Sequence, residues 1–441
     1  MRQIRFLFSA FFLFISFDSA FGQSNQQLQS LYDFLLVNKP PVDSTLQYIK
    51  YTQGAYLHYL YPFYQLFGEE QKFRELLTDT GYYDELSQAA SFVDDYSSAL
   101  AYQQKTYGAD VDEVALRQIN KTIQGYKNIQ HVDARRFISF IAPRYQVLMI
   151  NEAHNKPLHR AFLISLLNEL YRKGFRYLAM EMLNNYSNHS LEKLTSLTGH
   201  YCAEPVAGEL VRMALDMGYK LVSYEDTAAV QHTASQRDSI QAENIYKVIQ
   251  ADSSAKIIVY AGYGHIAEKV VDENYIPMAV TFKKISGIDP LTIDQTDMSE
   301  ISNFAYGKAF YDAYMQKFNL TSSSVALLDD QPVNVTNSGL YDISIIHPPT
   351  AYQDGRPTWL GLNGRRQPTY IKSSSKNTFL VQAYYQFETF GSRPGLVIPA
   401  DQTYTRTGKG SYLLYLRRGK YILIFRDFKY RILYTQHIEV S

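Results

Sequence analysis

Gln146-Val147-Leu148-Met149-Ile150-Asn151-Glu152-Ala153-His154 is the stretch on which the fold turns. Its first half is an unbroken apolar run, as expected of a strand covered on both faces. Its second half is polar and carries a carboxylate and an imidazole. A strand that is buried along its length and ends in Glu-x-His predicts chemistry at its carboxyl end.

The pattern repeats downstream. Pro157–Arg172 reads as a helix, with Pro157 suited to a first turn and Gly174 to the exit. Strand-like runs follow at 176–180, 220–224 and 256–261, with a fifth expected at 276–282. Helices are expected at Pro205–Met217, closed by Gly218, and at Gln236–Gln250. Alternation of this kind predicts an α/β fold with a mostly parallel sheet and helices on both faces. A further helix, Asn303–Phe318, is expected to stay attached to it.

The flanks differ from this centre. Residues 24–140 carry helical periodicity, as in Leu28, Leu31, Tyr32, Leu35 and Leu36. The small and aromatic residues of Ser91–Tyr107 resemble one tetratricopeptide helix pair, although no second copy recurs at a fixed period. This region is expected to offer a surface to a protein partner. Beyond the centre, turn residues (Asp354-Gly355-Arg356-Pro357, Gly408-Lys409-Gly410) separate short period-two runs, as in a small β-rich domain.

The amino terminus has an export signature. Arg2 and Arg5 precede an apolar run from Phe6 to Phe17, and Ala20-Phe21-Gly22 offers a cleavage site before Gln23. The run is too short to span a bilayer, and no transmembrane segment is expected after its removal. The expected layout is a signal peptide at 1–22, a helical region at 23–140, an α/β catalytic-like domain at 141–325 and a β-rich domain at 326–441. A periplasmic or secreted location follows. Cys202 is the sole cysteine, so no internal disulfide can form. Balanced charge, 43 basic against 43 acidic residues, argues against a nucleic-acid partner.

Four successive strands end in ionisable residues: Glu152 and His154, then Glu181, then Glu225 and Asp226, then His265 in Gly262-Tyr263-Gly264-His265. In an open parallel sheet these ends share one edge, which predicts one shared site. Each residue also has a plainer reading. His154 or Asp226 can cap a helix, and Glu181 can form an ion pair with Arg237 or a lysine. Arg237 opens the next helix, where its guanidinium can hold a carboxylate or an oxyanion. Asn244 lies on a similar face, and His159 is expected near the pocket rim. His189 and His200 fall in a loop-like stretch. No Gly-x-Ser-x-Gly elbow, phosphate-binding glycine loop or zincin helix is present.

The order of these motifs resembles the erythromycin esterase, ChaN-like haem-uptake and TraB/Tiki superfamily, over roughly residues 143–285. Gly262-Tyr263-Gly264-His265 matches the family's second Gly-x-x-His motif, Glu152-Ala153-His154 keeps the Glu-x-His core of the first, and Glu181 matches the acid between them. Asn151 stands at the first glycine position, so the turn there is expected to differ.

The resemblance implies hydrolysis of an ester or peptide bond in a small-molecule or peptide substrate. His154, Glu181 and His265 can then bind zinc, manganese or cobalt, with Glu152 as base or supporting partner. Alternatively His154 activates water without a metal and Arg237 stabilises the oxyanion. ChaN-like members suggest haem or iron binding instead, with Tyr263 beside His265 as a ligand. A third reading is a catalytically silent surface scaffold.

Overall fold

The computed structural model describes residues 27–107, 111–185, 191–270, 275–302, 304, 306–336, 339–389, 394–404 and 410–441. The expected signal peptide and His189 lie outside the described residues.

A nine-stranded sheet organises the chain. Its strands are β1 (Gln130–Asp133), β2 (Val147–Glu152), β3 (Tyr177–Met180), β4 (Lys220–Val222), β5 (Ile257–Gly262), β6 (Leu291–Asp294), β7 (Ser324–Leu328), β8 (Gln331–Pro332) and β9 (Ile343–Ile346). The order is β8-β7-β9-β6-β2-β5-β3-β4, with β1 also paired to β7. From β9 to β4 all neighbours run parallel, while β1, β8 and β9 join β7 antiparallel. The sheet is therefore mostly parallel, and it takes strands from both sides of the 141–325 segment.

The side-chain alternation of β2 explains the layering. Leu148 and Ile150 enter one core with the helices Pro157–Arg172 and Pro205–Met217. Val147 and Met149 point the other way, into a core with the helices Ala234–Ala251 and Met278–Ser286. A strand sandwiched in this way must be apolar on both faces, which is why its pattern is continuous.

The fifth strand is not where periodicity predicted it. Residues 276–282 enter a helix, Met278–Ser286, with Pro277 at its N-cap and left-handed Gly287 at its end. Pro277 cannot donate to a ladder, and Met278, Ala279 and Phe282 bury one helical face. The strand that lies beside β2 is instead β6. The helix expected from Asn303 begins at Gly307 and runs to Phe318.

Before the sheet, the helices Glu70–Phe92 and Tyr96–Tyr107 form an antiparallel hairpin. Its core residues Phe92 and Ala99 share a cluster with Phe379, Leu380, Ile398 and Tyr404 from the carboxyl-terminal region. That region is β-rich: Leu380–Tyr385, Asp401–Tyr404, Gly419–Arg426 and Ile432–Val440 form a four-stranded antiparallel sheet, and Gln367–Lys372 pairs with Ser411–Leu416. One face of the hairpin is thus covered by the chain's own carboxyl-terminal strands. No helix among the described residues is long and apolar enough to cross a membrane.

Candidate functional site

The strand order makes the crevice. From β2 the chain moves outward to β3 and β4, returns to insert β5 beside β2, and then places β6 on the far side of β2. Such a reversal leaves the space beyond the carboxyl ends open. Register brings Glu152 opposite Gly262 across the β2–β5 pair, and Glu181 follows directly on β3.

Gly262 is the pivot. A Cβ built on it would lie 2.5 Å from His154 Cε1, 2.7 Å from His154 Nε2 and 3.1 Å from Glu181 Oε2. The His154 ring and the Glu181 carboxylate therefore close over the same backbone atom. Gly262 N–H donates to Glu181 Oε2 at 2.5 Å. Gly264, by contrast, has room for a side chain, and it is Tyr263 that takes the left-handed backbone, at φ 44°.

Behind His154 stands a buried charge network. Its Nδ1 lies 3.1 Å from Glu152 Oε1. Arg160 donates to both oxygens of Glu152 at 2.8 Å, to the His154 carbonyl at 2.9 Å and to Glu204 at 3.0 Å. Burial pushes the Glu152 carboxyl up, but Arg160 and His154 outweigh it and hold it at about 2. Glu204 caps the helix Pro205–Met217 through Val206 and Ala207 N–H. The His154 ring stacks on Tyr201, centroids 4.4 Å apart, and meets Tyr263 edge-on at 5.1 Å.

A second histidine pair faces the first. His265 Nδ1 lies 2.8 and 2.9 Å from the two oxygens of Asp238. Asp238 also accepts from Tyr275 O–H at 2.8 Å and from Met278 N–H at 2.9 Å. Burial lowers the His265 pKa, but Asp238 and Glu181 outweigh it, and the net shift is upward. With Nδ1 held by Asp238, Nε2 is the atom left to exchange a proton; it lies 3.7 Å from Glu181 Oε1.

Arg237 spans the floor. It donates to Glu181 at 2.6 Å, its Nη1 lies 3.3 Å from His265 Nε2, and it grips Glu225 through Nε and Nη2. Burial raises Glu181, but His265, His154 and Arg237 more than compensate, and its carboxyl is held below the usual range. His154 (21% exposed), Arg237 (27%), His265 (17%) and Glu181 (12%) remain open to solvent, whereas Glu152 (2%) and Asp238 (0%) do not. The first four can meet a substrate; the last two can act only through their histidines.

The shared site is therefore built by Glu152, His154, Glu181 and His265, expected from strand ends, and by Arg237, expected from the start of a helix. The ion pair offered as a plainer reading of Glu181 is also real, and the two coexist. Three expectations need correction. Asn151 makes no altered turn: it continues β2 opposite Ala261, and its Nδ2 donates to Asp294 and to the Tyr263 carbonyl. His159 is not at a rim; it is fully buried and accepts from Ala153 N–H. Asp226 shapes a turn with Ala228 and His232 rather than entering the site. Asn244 holds the Tyr224 carbonyl. Cys202 is buried, and burial pushes its thiol up to about 12.

Four contributors escaped the strand-end argument: Arg160, Tyr201, Asp238 and Tyr275. Two left a trace. Arg160 is a cation on a helix whose other inward residues are apolar except His159, and such a charge requires a carboxylate partner. Asp238 is adjacent to Arg237, one step round the helix towards the core.

The expected metal ligands His154, Glu181 and His265 do converge, yet Arg237 bridges Glu181 and His265, and Asp238 holds the other nitrogen of His265. A guanidinium at 2.6 and 3.3 Å from two of the three donors occupies the space a divalent ion would need, so this arrangement does not fit one. Among the described residues no group of three or more His, Cys, Asp or Glu side chains is set to hold a metal ion.

No family model matches the chain, and no curated protein does. Among solved structures, one titled "Bacterial protein toxins" is 13% identical with a TM-score of 0.30, and one titled "Crystal structure of bacterial protein toxins" is 14% identical at 0.30. Each pairing covers 66% of this chain and 66% of the toxin, just under two thirds of the toxin's length. A signal recognition particle receptor FtsY from Elizabethkingia anophelis in complex with GDP is 10% identical at 0.23, covering 71% of this chain and 88% of that one. Likenesses at these scores carry no inference about fold or activity.

Proposed function

We propose that the chain is an exported hydrolase of ester or peptide bonds, of erythromycin esterase-like type, that activates water with His154. The observation that carries this reading is the convergence of two histidine–carboxylate pairs, Glu152–His154 and Asp238–His265, on Glu181, which meets the His154 ring over Gly262 and lies 3.7 Å from His265 Nε2.

In this scheme His154 Nδ1–H donates to Glu152, which leaves Nε2 as an acceptor facing the crevice. Water attacks the substrate carbonyl carbon while His154 Nε2 takes its proton. The carbonyl oxygen becomes an oxyanion, stabilised by the Arg237 guanidinium. When the bond to the leaving group breaks, protonated His265 Nε2 supplies the leaving oxygen or nitrogen with its proton. The upward shift of His265 suits that acid role, because a raised pKa keeps the proton available near neutrality. His154 then releases its proton to solvent and His265 regains one. Glu152 and Asp238 act as positioning residues that set tautomer and orientation. No step is routed through a metal.

The test is hydrolysis of p-nitrophenyl esters of graded chain length and of a fluorogenic peptide panel by the purified chain. Hydrolysis is expected, with a loss of about 100-fold or more in kcat for His154→Ala and for His265→Ala. Absence of turnover across both panels, or full activity in His154→Ala, overturns the proposal.

A further inference from the structure

The helical hairpin reaches the rim of the site. Ser87 Oγ, on the helix Glu70–Phe92, accepts from Asn155 Nδ2 at 2.7 Å, just past His154 in the chain. Gln88 Nε2 lies 3.2 Å from His200 Nε2, and the next residue, Tyr201, is the ring stacked on His154. Glu85 is one turn before Gln88 and so shares its face. From there its charge reaches the hydroxyls of Tyr201 and Tyr51. The Tyr51 ring in turn meets His200 edge-on, centroids 4.8 Å apart, so this face of the hairpin abuts the loop that carries Tyr201.

Two features of this corner call for a ligand. Glu85 is half-buried and joins none of the ion pairs among the described residues, and burial together with Asp84 pushes its carboxyl up to about 7. Tyr51 is only 7% exposed, yet its hydroxyl makes no well-formed hydrogen bond among the described residues, Gln88 being the side chain that bears on it. Every other acid of the crevice floor is matched: Glu152 by Arg160, Glu181 and Glu225 by Arg237. A carboxylate left without a cation, on the hairpin face that meets the rim of the site, has the chemistry that recognises a protonated amine.

We propose that Glu85, on the hairpin face that meets His200, is a specificity-determining residue that binds a protonated amine on the substrate of the His154–His265 site. This rests on the hydrolase reading above. The substrate class narrows accordingly to esters or amides that carry a primary ammonium a few bonds from the scissile carbonyl. The amine docks at the hairpin, and the carbonyl lies over the histidines.

The test compares p-nitrophenyl 6-aminohexanoate with p-nitrophenyl heptanoate, which differ chiefly in the ammonium. Wild type is expected to favour the amino ester by about tenfold or more in kcat/KM, worth ~1.4 kcal/mol of discrimination. Glu85→Gln is expected to bring that ratio close to one, and Glu85→Asp to retain part of it. A second arm measures binding of the unreactive amides 6-aminohexanamide and heptanamide by calorimetry to wild type and Glu85→Gln. Equal kcat/KM for the two esters in wild type, or an unchanged ratio in Glu85→Gln, overturns the proposal while leaving the hydrolase reading in place. Glu85-dependent amine binding without turnover of any ester overturns the hydrolase reading and keeps the amine site. Neither turnover nor amine binding removes both.

Discussion

His265 Nδ1 sits 2.8 Å from Asp238 Oδ1, and Asp238 is a buried residue of the helix that also carries Arg237. The pair couples stability to pH with a definite sign. The folded pKa of His265 lies above the ordinary 6.5, so folding favours the protonated ring. The stability this contributes is complete below 6.5 and is lost as pH rises through the folded value. Asp238→Asn removes the charge that raises it. Urea unfolding at about pH 5.5 and about pH 8.5 is therefore expected to separate wild type from Asp238→Asn more at the lower pH. The His265 ring resonances should titrate at lower pH in the variant. An equal or higher His265 pKa in Asp238→Asn contradicts the pairing.

Gly262→Ala separates folding from function. The backbone of Gly262, φ −75° and ψ 140°, suits any residue, so the conformation itself costs nothing. The new methyl meets the tip of the His154 ring, which can swing aside. The expected outcome is a thermal midpoint within a few degrees of wild type and a loss of about 100-fold or more in kcat, because an ångström of misplacement disables a general base. A variant with wild-type kcat shows that His154 does not work from this position.

How much of this was legible in the sequence depends on the range of the interaction. Val147 to Ile150 announced a doubly covered strand because burial on both faces leaves no polar alternation. Glu152, Glu181 and His265 were found because parallel strands deliver their ends to one edge. The stretch 276–282 misled because a short apolar run has the same composition in a strand and in a buried helix, and Pro277 was the deciding residue. Arg160 and Asp238 were missed because their partners lie eight residues away across a helix start and 27 residues away across β5. Periodicity reports which face is buried, and not which partner waits there. Glu85 lay further out of reach, in a helix whose contacts with the site are set by tertiary packing alone.

Arg160 is expected to be the residue the site can least do without for folding. It neutralises Glu152 and Glu204, both buried, and its own side chain is fully enclosed. Arg160→Met leaves two carboxylates without a cation, which costs about 3–5 kcal/mol. Replacing all three by Arg160→Met, Glu152→Gln and Glu204→Gln is expected to recover a large part of that loss, because the uncompensated charges go too. Chemical denaturation of wild type and the two variants measures both effects. A mild loss in Arg160→Met shows that the network is open to water.

Glu152 gives the opposite pH sign to His265. Its carboxyl, with an ordinary value of 4.5, is held at about 2 in the folded chain. The stability it contributes is complete above 4.5 and is lost as pH falls through about 2. Between those limits wild type should lose stability with acid more steeply than Glu152→Gln, whose amide does not titrate. Acid titration followed by tyrosine fluorescence and circular dichroism checks this. Parallel acid profiles for the two proteins contradict the assignment.

The last expectation concerns Arg237 and metals. The guanidinium lies between Glu181 and His265, so it competes with any divalent ion for the same two donors. Arg237→Ala releases both, together with Glu225, beside the Nε2 of His154. A truncated side chain therefore turns the floor of the crevice into a nitrogen and oxygen donor set of the kind zinc accepts. Calorimetry with zinc is expected to show little binding at this site in wild type and tighter binding, by about tenfold or more, in Arg237→Ala. Hydrolysis by wild type is expected to survive dialysis against a chelator, and Arg237→Ala to be slow with or without added zinc because the oxyanion contact is gone. Tight zinc binding by wild type that is abolished by His265→Ala reverses this order and restores the metal reading.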